Sequence, residues 1–272
     1  MPSPFQTLFK APPLCYDKEA DKTAASEGGG LPMIQQSVFP ERFRVMSGSA
    51  LKVLAMVAML VDHSAICFQP LLNRYLFTLF DIRFTPYVLL RGFGRIAFPI
   101  FCFLLAEGFR HTRDPRRYAL SLFLFALISE VPYDLFNCGA LPFERQNVFF
   151  TLLLGHLGIW CLKRFRQTPL PSSLTLIALG ICAAKLNADY GWKGFLLILL
   201  LYLLAEQPVV QAFAGITLLG WPGGVACAFP FLNLYNGERG FVRGKAAKYF
   251  FYCFYPVHLT ILWLLHRHFF GY

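Results

Sequence analysis

Asp62 and His63 lie inside a long apolar run of the sequence, from Leu51 to Phe68. The run is long enough to cross a bilayer as a helix. Ionisable groups in hydrocarbon are costly unless they face a partner or a water-filled cavity, and they commonly mark functional sites. We therefore predict a catalytic or proton-handling site at this pair. The alternative is a structural polar bridge between helices.

The spacing along the sequence indicates which residues can act with His63. Lys52 lies eleven residues before it, about three helical turns, so the two share one helix face. Asp62 is adjacent and diverges by about 100°, so we expect the partner of His63 to come from another helix. Glu130 and Asp134, which share a face at i,i+4, are the candidates for that partner.

The composition is typical of a membrane protein. Hydrophobic residues make up 56% of the sequence and charged residues 15%, and the mean hydropathy is +0.50. A soluble chain carries about a quarter charged residues. The apolar residues come in blocks of about twenty, separated by short basic or Pro/Gly-containing loops, which indicates one polytopic membrane domain.

The net charge of +10 does not indicate nucleic-acid binding. The Lys and Arg residues lie at the ends of apolar blocks, where membrane topology accounts for them. The eight cysteines include no Cys-x-x-Cys pair, and most lie inside apolar blocks. We interpret them as small buried hydrophobes and expect neither a disulfide framework nor a metal site.

These patterns predict an all-α fold, a polytopic integral membrane helical bundle of about eight transmembrane helices, with nine or ten as alternatives. Residues 1–46 mix Pro, Gly and charged residues without periodicity, so we expect a disordered cytoplasmic tail before a transmembrane domain at 47–272. The predicted spans are residues 49–69, 93–110, 116–137, 147–164, 170–188, 194–206, 208–234 and 247–269.

Two stretches allow alternatives. Residues 71–90 are apolar but interrupted by charges and a proline, which fits an interfacial segment or a short extra span. Residues 208–234 contain Gly220-Trp-Pro-Gly-Gly224 and form either one broken helix or two short ones.

The basic loops at 110–117 and 163–166 fall on the same side as the N-terminal tail. The positive-inside rule makes that side cytoplasmic, and we expect the cytoplasmic (inner) membrane. With eight spans, the basic residues between 239 and 248 would lie outside, and two crossings within 208–234 would bring them inside.

Because a helix rises about 1.5 Å per residue, position within a span converts to depth. The outer layer contains Asp62, His63, Arg95, Glu130, Asp134, Asn147 and Asp189. The inner layer contains Lys52, Glu107, Arg110, Arg113, Arg116 and Arg117. Two layers at different depths suit a long substrate.

The inner layer has the features of a phosphate site. Asp114 can cap the helix that follows, and Pro115 suits its first position. A helix N-terminus beside several arginines binds phosphates well. The alternative is the ordinary cytoplasmic anchor of a membrane helix.

Several ordered segments resemble the TraX family of bacterial membrane proteins, which is linked to N-terminal acetylation of conjugative pilin. The similarity covers residues 50–265 approximately. The segments that carry it are residues 51–63, 94–109, 126–134, 147–155, 189–192, 235–240 and 248–258.

The family distantly resembles membrane acyltransferases that decorate surface glycans. Those enzymes use a basic residue, ten intervening positions and a His in the first span. Lys52-x10-His63 is similar to that pattern, and Arg110-His-Thr-Arg113 is a looser counterpart of their Arg-x-x-Arg element. The resemblance implies acetyl-CoA as the acyl donor. This chain departs by its longer N-terminal tail, and its acceptor need not be a pilin.

Depth and resemblance together predict an integral membrane acetyltransferase acting at the outer side on a peptide N-terminus, a lipid or a glycan. His63 would be the general base, oriented by Glu130 or Asp134. Arg95 or Asn147 would stabilise the oxyanion. The donor phosphates would bind Lys52, Arg110, Arg113, Arg116 and Arg117.

Other assignments stay open at this point. Asp62 is expected to pair with another helix or with Arg95. His258, in the last apolar block, is either a second site residue or a satisfied core histidine. A proton-coupled transporter would use the same buried residues, and an assembly factor of a secretion machine is a third class.

Overall fold

The structure is a computed structural model that describes residues 35–79, 82–220, 224–242 and 244–271. Most of these residues are helical and very few are in strands, which confirms the all-α prediction. A hairpin of β1 (Phe77–Leu79) and β2 (Ile82–Phe84) is the exception within the described ranges. The helices are α1 (Gly48–Cys67), α2 (Gln69–Leu72), α3 (Pro86–Gly94), α4 (Ala97–His111), α5 (Pro115–Cys138), α6 (Val148–Arg164), α7 (Pro169–Lys185), α8 (Gly191–Leu203), α9 (Pro208–Leu219), α10 (Ala228–Asn233) and α11 (Gly244–Phe270).

Three of the described stretches are long and apolar enough to cross a membrane: α1, the combined stretch Pro86–His111 and α5. Helices α7, α8 and α9 are apolar but shorter. The protein is therefore a membrane protein with a helical core. The total of eight crossings stays a prediction, because length and composition identify only these three.

Helices α1 and α11 run parallel to each other. His63 contacts His258, and Cys67 Sγ lies 3.3 Å from the carbonyl oxygen of Leu262. Both contacts join residues 195 positions apart, and the second lies one turn further along each helix, as expected of parallel helices. Near the start of α11, Lys248 Nζ donates to Ser121 Oγ of α5 at 3.1 Å. Thus α1, α5 and α11 all begin at one end of the bundle, which we call the proximal end; the opposite end is the distal end.

The starts of α1 and α5 are fixed by local capping. Ser47 Oγ accepts from the backbone N–H of Ala50 at 3.3 Å, and Asp114 Oδ1 accepts from that of Arg117 at 3.1 Å. Asp114 is thus the cap that the sequence predicts, with Pro115 in the first turn.

The stretch 208–234 forms two short helices, α9 and α10, rather than one crossing. Residues 221–223 of the Gly/Pro-containing break lie outside the described residues. After α10 the chain returns to the proximal end, where Met46 pairs with Tyr235 and the N–H of Gly48 donates to the carbonyl of Glu238 at 2.8 Å. Arg239 and Lys248 therefore lie at the proximal end, beside the starts of α1 and α5.

Residues 35–46 lie against the bundle, although the sequence assigned them to a disordered tail. The N–H of Gln36 donates to the carbonyl of Ala205 at 3.0 Å, and Asn233 Oδ1 accepts from the N–H of Val38 at 2.9 Å. Gln35 is buried and donates to Gln211 Oε1 at 3.3 Å. These polar contacts order the segment without the apolar periodicity that a sequence reading looks for. Residues 1–34 lie outside the described residues.

The stretch 71–90 contains the β-hairpin and the start of α3 rather than a span of its own. Leu71, Phe77 and Leu79 are exposed, as expected of an interfacial segment. Helix α3 begins where Thr85 Oγ1 accepts from the N–H of Val88 at 3.2 Å. Its role is to bring two arginines against α1.

Candidate functional site

A pair of histidines joins α1 to α11 in the distal half of the bundle. His63 Nδ1 lies 2.7 Å from His258 Nε2. His258 Nδ1 in turn lies 2.7 Å from the backbone carbonyl of Phe254, one turn earlier on α11. The rings of Phe136 and Tyr255 flank His63, with centroids 5.5 and 6.2 Å from its own.

The hydrogen-bond network assigns the protons of this pair. A carbonyl oxygen only accepts, so His258 Nδ1 carries the hydrogen and its Nε2 has a lone pair in the neutral ring. His63 Nδ1–H therefore donates to His258 Nε2. Nε2 of His63 keeps its lone pair, and among the described residues it is neither hydrogen-bonded nor a fully enclosed atom. His63 has the tautomer that a general base needs.

The partner of His63 is not a carboxylate, which corrects the expectation of Glu130 or Asp134. His258 takes that position because α11 runs parallel to α1 and places a histidine level with His63. Of the two alternatives for His258, direct contact with His63 favours a second site residue. The predicted shared face of α1 agrees with the structure, since Lys52 also faces α11, with Nζ 5.8 Å from the centre of the Phe251 ring.

Asp62 pairs with Arg91 of α3, through a hydrogen-bonded ion pair between Nη1 and Oδ2. Its other oxygen, Oδ1, is buried without a hydrogen-bond partner among the described residues. Helix α3 approaches closely because Gly94 packs on Asp62, where a Cβ would collide with the carboxylate. The predicted divergence of Asp62 from His63 is observed. Of the two expected partners, another helix or Arg95, the structure shows the first, because Arg91 belongs to α3.

Arg95 remains an exposed guanidinium that forms no ion pair with the described residues. It lies near Asp189, in the loop between α7 and α8. Burial raises the pKa of Asp189 to about 6, while the N–H of Tyr190 and the charge of Arg95 oppose that rise. Asp62 and Arg91 act on the same carboxyl, so these charged groups form one electrostatic cluster at the distal end.

Asn147 has a structural role that conflicts with its predicted role as an oxyanion donor. Its Nδ2 donates both to the carbonyl of Ala126 at 2.7 Å and to Glu130 Oε2. Its Oδ1 caps α6 by accepting from the N–H of Phe149 at 3.0 Å, and the residue is fully buried. With both amide hydrogens used, Asn147 has no donor left for an oxyanion.

Glu130 and Asp134 are likewise committed to local structure. Glu130 Oε2 also accepts from the backbone N–H of Asn147 at 3.3 Å, although Oε1 has no partner among the described residues. Asp134 Oδ2 accepts from the N–H of Phe143 at 2.9 Å and so holds the loop between α5 and α6. Both carboxylates support the distal end rather than His63.

The proximal layer divides into buried and exposed arginines. Arg110 is buried: Nη1 donates to Glu107 Oε2 and Nη2 to the carbonyl of Tyr202, each at 2.8 Å. Glu107 Oε1 also accepts from Tyr235 OH at 3.4 Å, and burial together with this carboxylate raises the pKa of Tyr235. Arg110 therefore joins α4 to α8 and is not available to a phosphate, contrary to its prediction.

The other arginines of this layer face solvent. Arg113, Arg116 and Arg117 are exposed around the first turn of α5. Arg117 Nε pairs with Asp114 at 3.0 Å but keeps 88% of its side-chain surface exposed, so the guanidinium can still meet a second anion. These three remain the predicted phosphate ligands.

A comparison with known protein families matches residues 47–266 to the family described as TraX protein. The chain belongs to the TraX family. The match runs from the start of α1 to residue 266 in α11, and it includes both histidines and the charged residues described above.

A curated relative of this TraX-family chain is the "Probable fimbrial assembly protein FimC, serogroup H1" of Dichelobacter nodosus. The two are 31% identical over 245 residues, which covers 79% of this chain and 94% of the relative. No solved structure matches the chain significantly.

Sequence reasoning about this TraX-family chain missed Arg91. Arg91 falls between the stretch 71–90, interpreted as an interfacial segment or a short extra span, and the predicted span 93–110. Its i,i+4 spacing to Arg95 was a usable signal. Two arginines one turn apart beside an intramembrane aspartate indicate that one of them neutralises it.

Proposed function

We propose that this TraX-family protein is an integral membrane acetyltransferase. It transfers the acetyl group of acetyl-CoA to an envelope component, with the N-terminal amine of a pilin-like peptide as the first candidate. The observation that carries the proposal is the His258–His63 hydrogen bond, which leaves a lone pair on His63 Nε2 in the distal half of a membrane bundle. The name of the curated relative, a fimbrial assembly protein, supports a pilus subunit as acceptor.

The proposed reaction begins with deprotonation of the acceptor. His63 Nε2 takes a proton as the amine nitrogen bonds to the thioester carbonyl carbon. The oxyanion of the tetrahedral intermediate lies near Arg95, the unpaired guanidinium of the distal cluster. Collapse breaks the C–S bond, and the proton on His63 passes to the departing thiolate, which restores the neutral pair. Because His258 accepts from Nδ1, it stabilises the positive charge that His63 carries in between.

The separation of the two ends of the site suits acetyl-CoA, whose phosphates and thioester lie at opposite ends of the molecule. The exposed Arg113, Arg116 and Arg117 offer charge at the proximal end. Lys52 and His63 face α11 and are about 16 Å apart along α1 at the usual helical rise. Met56 and Met59 lie between them on the same face, which suits an uncharged linking arm.

The test is acetyl transfer by purified protein to a synthetic peptide with a free α-amine, followed by mass spectrometry. His63→Ala should reduce transfer by about 10²–10⁴-fold, because it removes the general base. The same variant should keep the thermal stabilisation that CoA gives, since the donor phosphates bind at the other end.

His268→Ala, which changes an exposed histidine near the end of α11, is the matched control and should retain full activity. If His63→Ala kept full activity, His63 would not be the general base. If CoA gives neither thermal stabilisation nor transfer to any envelope fraction, the proposal is wrong and a transporter or assembly role gains weight.

A further inference from the structure

The loop from Tyr235 to Val242 has a defined structure that the reaction described above does not use. Asn236 Oδ1 accepts from the N–H of Glu238 at 2.9 Å, which closes a tight turn. Tyr235 fixes one end of the loop to Glu107. At the other end, Ser49 Oγ accepts from the N–H of Val242 at 2.8 Å. We call this segment the cap loop.

The cap loop covers the N-terminus of α1. The first free N–H groups of the helix, those of Gly48 and Ser49, donate to the carbonyls of Glu238 and Arg239 at 2.8 and 3.0 Å. Ser49 Oγ also donates to the carbonyl of Arg239 at 2.7 Å. The close fit requires Gly240, which has φ +81° and would place a Cβ against Ser47. The backbone of Arg239 is therefore held at the first turn of α1.

This placement brings two cations together. Ser49 and Lys52 are three residues apart and share a face of α1, so Arg239 lies beside Lys52. The Arg239 carbonyl supports this proximity, because it accepts from the N–H and the Oγ of Ser49, about one turn before Lys52. The described ion pairs involve Arg91, Arg110, His111 and Arg117, and none of them supplies a carboxylate to either cation. Arg239 is exposed and Lys52 is partly buried above the ring of Phe251.

Two like charges side by side repel each other, and an anion bound between them replaces that repulsion by attraction. A phosphate group satisfies both, because the guanidinium and ammonium groups donate to separate oxygens. The N-terminus of α1 does not itself serve the anion, since loop carbonyls already occupy its N–H groups.

We propose that Lys52 and Arg239, joined by the cap loop, form a binding site for the phosphates of a coenzyme A thioester. The assignment rests on the proposed acetyltransferase function and adds to it a specific donor contact. It also gives Lys52 a partner: the site opens at the proximal end of the same α1 face whose other end holds His63. A donor bound there has its phosphates at the cap loop and its thioester directed along α1.

The experiment compares CoA with pantetheine, which lacks the phosphates, by thermal shift and titration against the purified full chain. In Arg239→Gln the Kd for CoA should rise about tenfold, the effect of one charge-assisted contact, while pantetheine binding is unchanged. In transfer assays the KM for acetyl-CoA should rise by a similar factor, with kcat within about twofold. Arg239→Lys should recover most of the affinity.

Arg42→Gln is the matched control, because Arg42 is exposed just before α1 but stacks on Phe43, 4.9 Å from its ring centre. It should bind CoA like the unmodified protein. If Arg239→Gln and Arg239→Lys both bind CoA normally, the site is wrong while the acetyltransferase proposal stands. If the unmodified protein neither binds CoA nor transfers acetyl groups, both proposals fail.

Discussion

At the scale of single residues, the contact between His63 and His258 determines which ring nitrogen can react. The sequence pointed to His63, because an ionisable group in an apolar span must have a reason to be there. It could not identify His258 as the partner. That contact depends on the register between two helices 195 residues apart, and no local pattern encodes it.

Replacing the acceptor on His258 tests its positioning role. In His258→Phe, His63 Nδ1 loses its partner and the ring can take the wrong tautomer, so transfer should fall by about 10–100-fold. His258→Gln presents a carbonyl oxygen that can accept from Nδ1, and it should restore part of the activity. Transfer assays on both variants check this, with CoA thermal shift as the measure of intact folding.

A merely structural histidine would behave differently. If Phe, which packs at similar volume, preserved transfer while Gln did not, His258 would be a packing residue rather than an acceptor for His63. The comparison needs no assumption about the acceptor substrate beyond a measurable product.

At the scale of helices, the distal end depends on how α5 and α6 are joined. The sequence placed Asn147 at the opening of a span and at the depth of the catalytic layer, and both placements agree with the structure. It could not count hydrogen bonds, and the amide of Asn147 is fully occupied by Ala126, Glu130 and Phe149. Depth along a helix identifies which residues share a layer. Only the observed hydrogen bonds show which of those side chains still have a donor or acceptor for a substrate.

Asn147→Ala should therefore act mainly on stability. It removes a helix cap and leaves the buried Glu130 carboxylate with fewer donors, a combined cost of about 2–4 kcal/mol in the free energy of unfolding. Denaturant or thermal unfolding in detergent measures the change. Asn73→Ala, at the exposed C-cap of α2, should be close to neutral. If Asn147→Ala were as stable as the unmodified protein but inactive, Asn147 would have a catalytic role after all.

At the scale of the whole molecule, the cap loop and the start of α1 lie on one side, and the loop between α5 and α6 lies on the other. The hydropathy pattern predicted most helices close to their observed positions. It did not decide between one and two crossings at 208–234, because short helices and a Gly/Pro break give no clear apolar period. The contacts of Met46 and Gly48 with the cap loop show that the chain after α10 lies at the proximal end. The number of crossings within 208–234 stays a prediction.

Accessibility of single cysteines checks this arrangement. In a cysteine-free background, Glu41→Cys and Glu238→Cys should react with a membrane-impermeant thiol reagent from the same side. Leu141→Cys, in the loop after α5, should react only from the opposite side. All three positions are exposed, so burial does not limit labelling. Labelling of positions 41 and 238 from opposite sides would contradict the topology.

The parallel packing of α1 and α11 has a consequence for biosynthesis. His63 enters the membrane with α1, but His258 belongs to α11, which is translated much later. While the ribosome is still making the intervening helices, His63 has no acceptor for Nδ1, and the cap loop has not yet reached α1. Each molecule therefore completes the His63–His258 pair only when α11 inserts, and a chain that stops before residue 244 carries half of the pair.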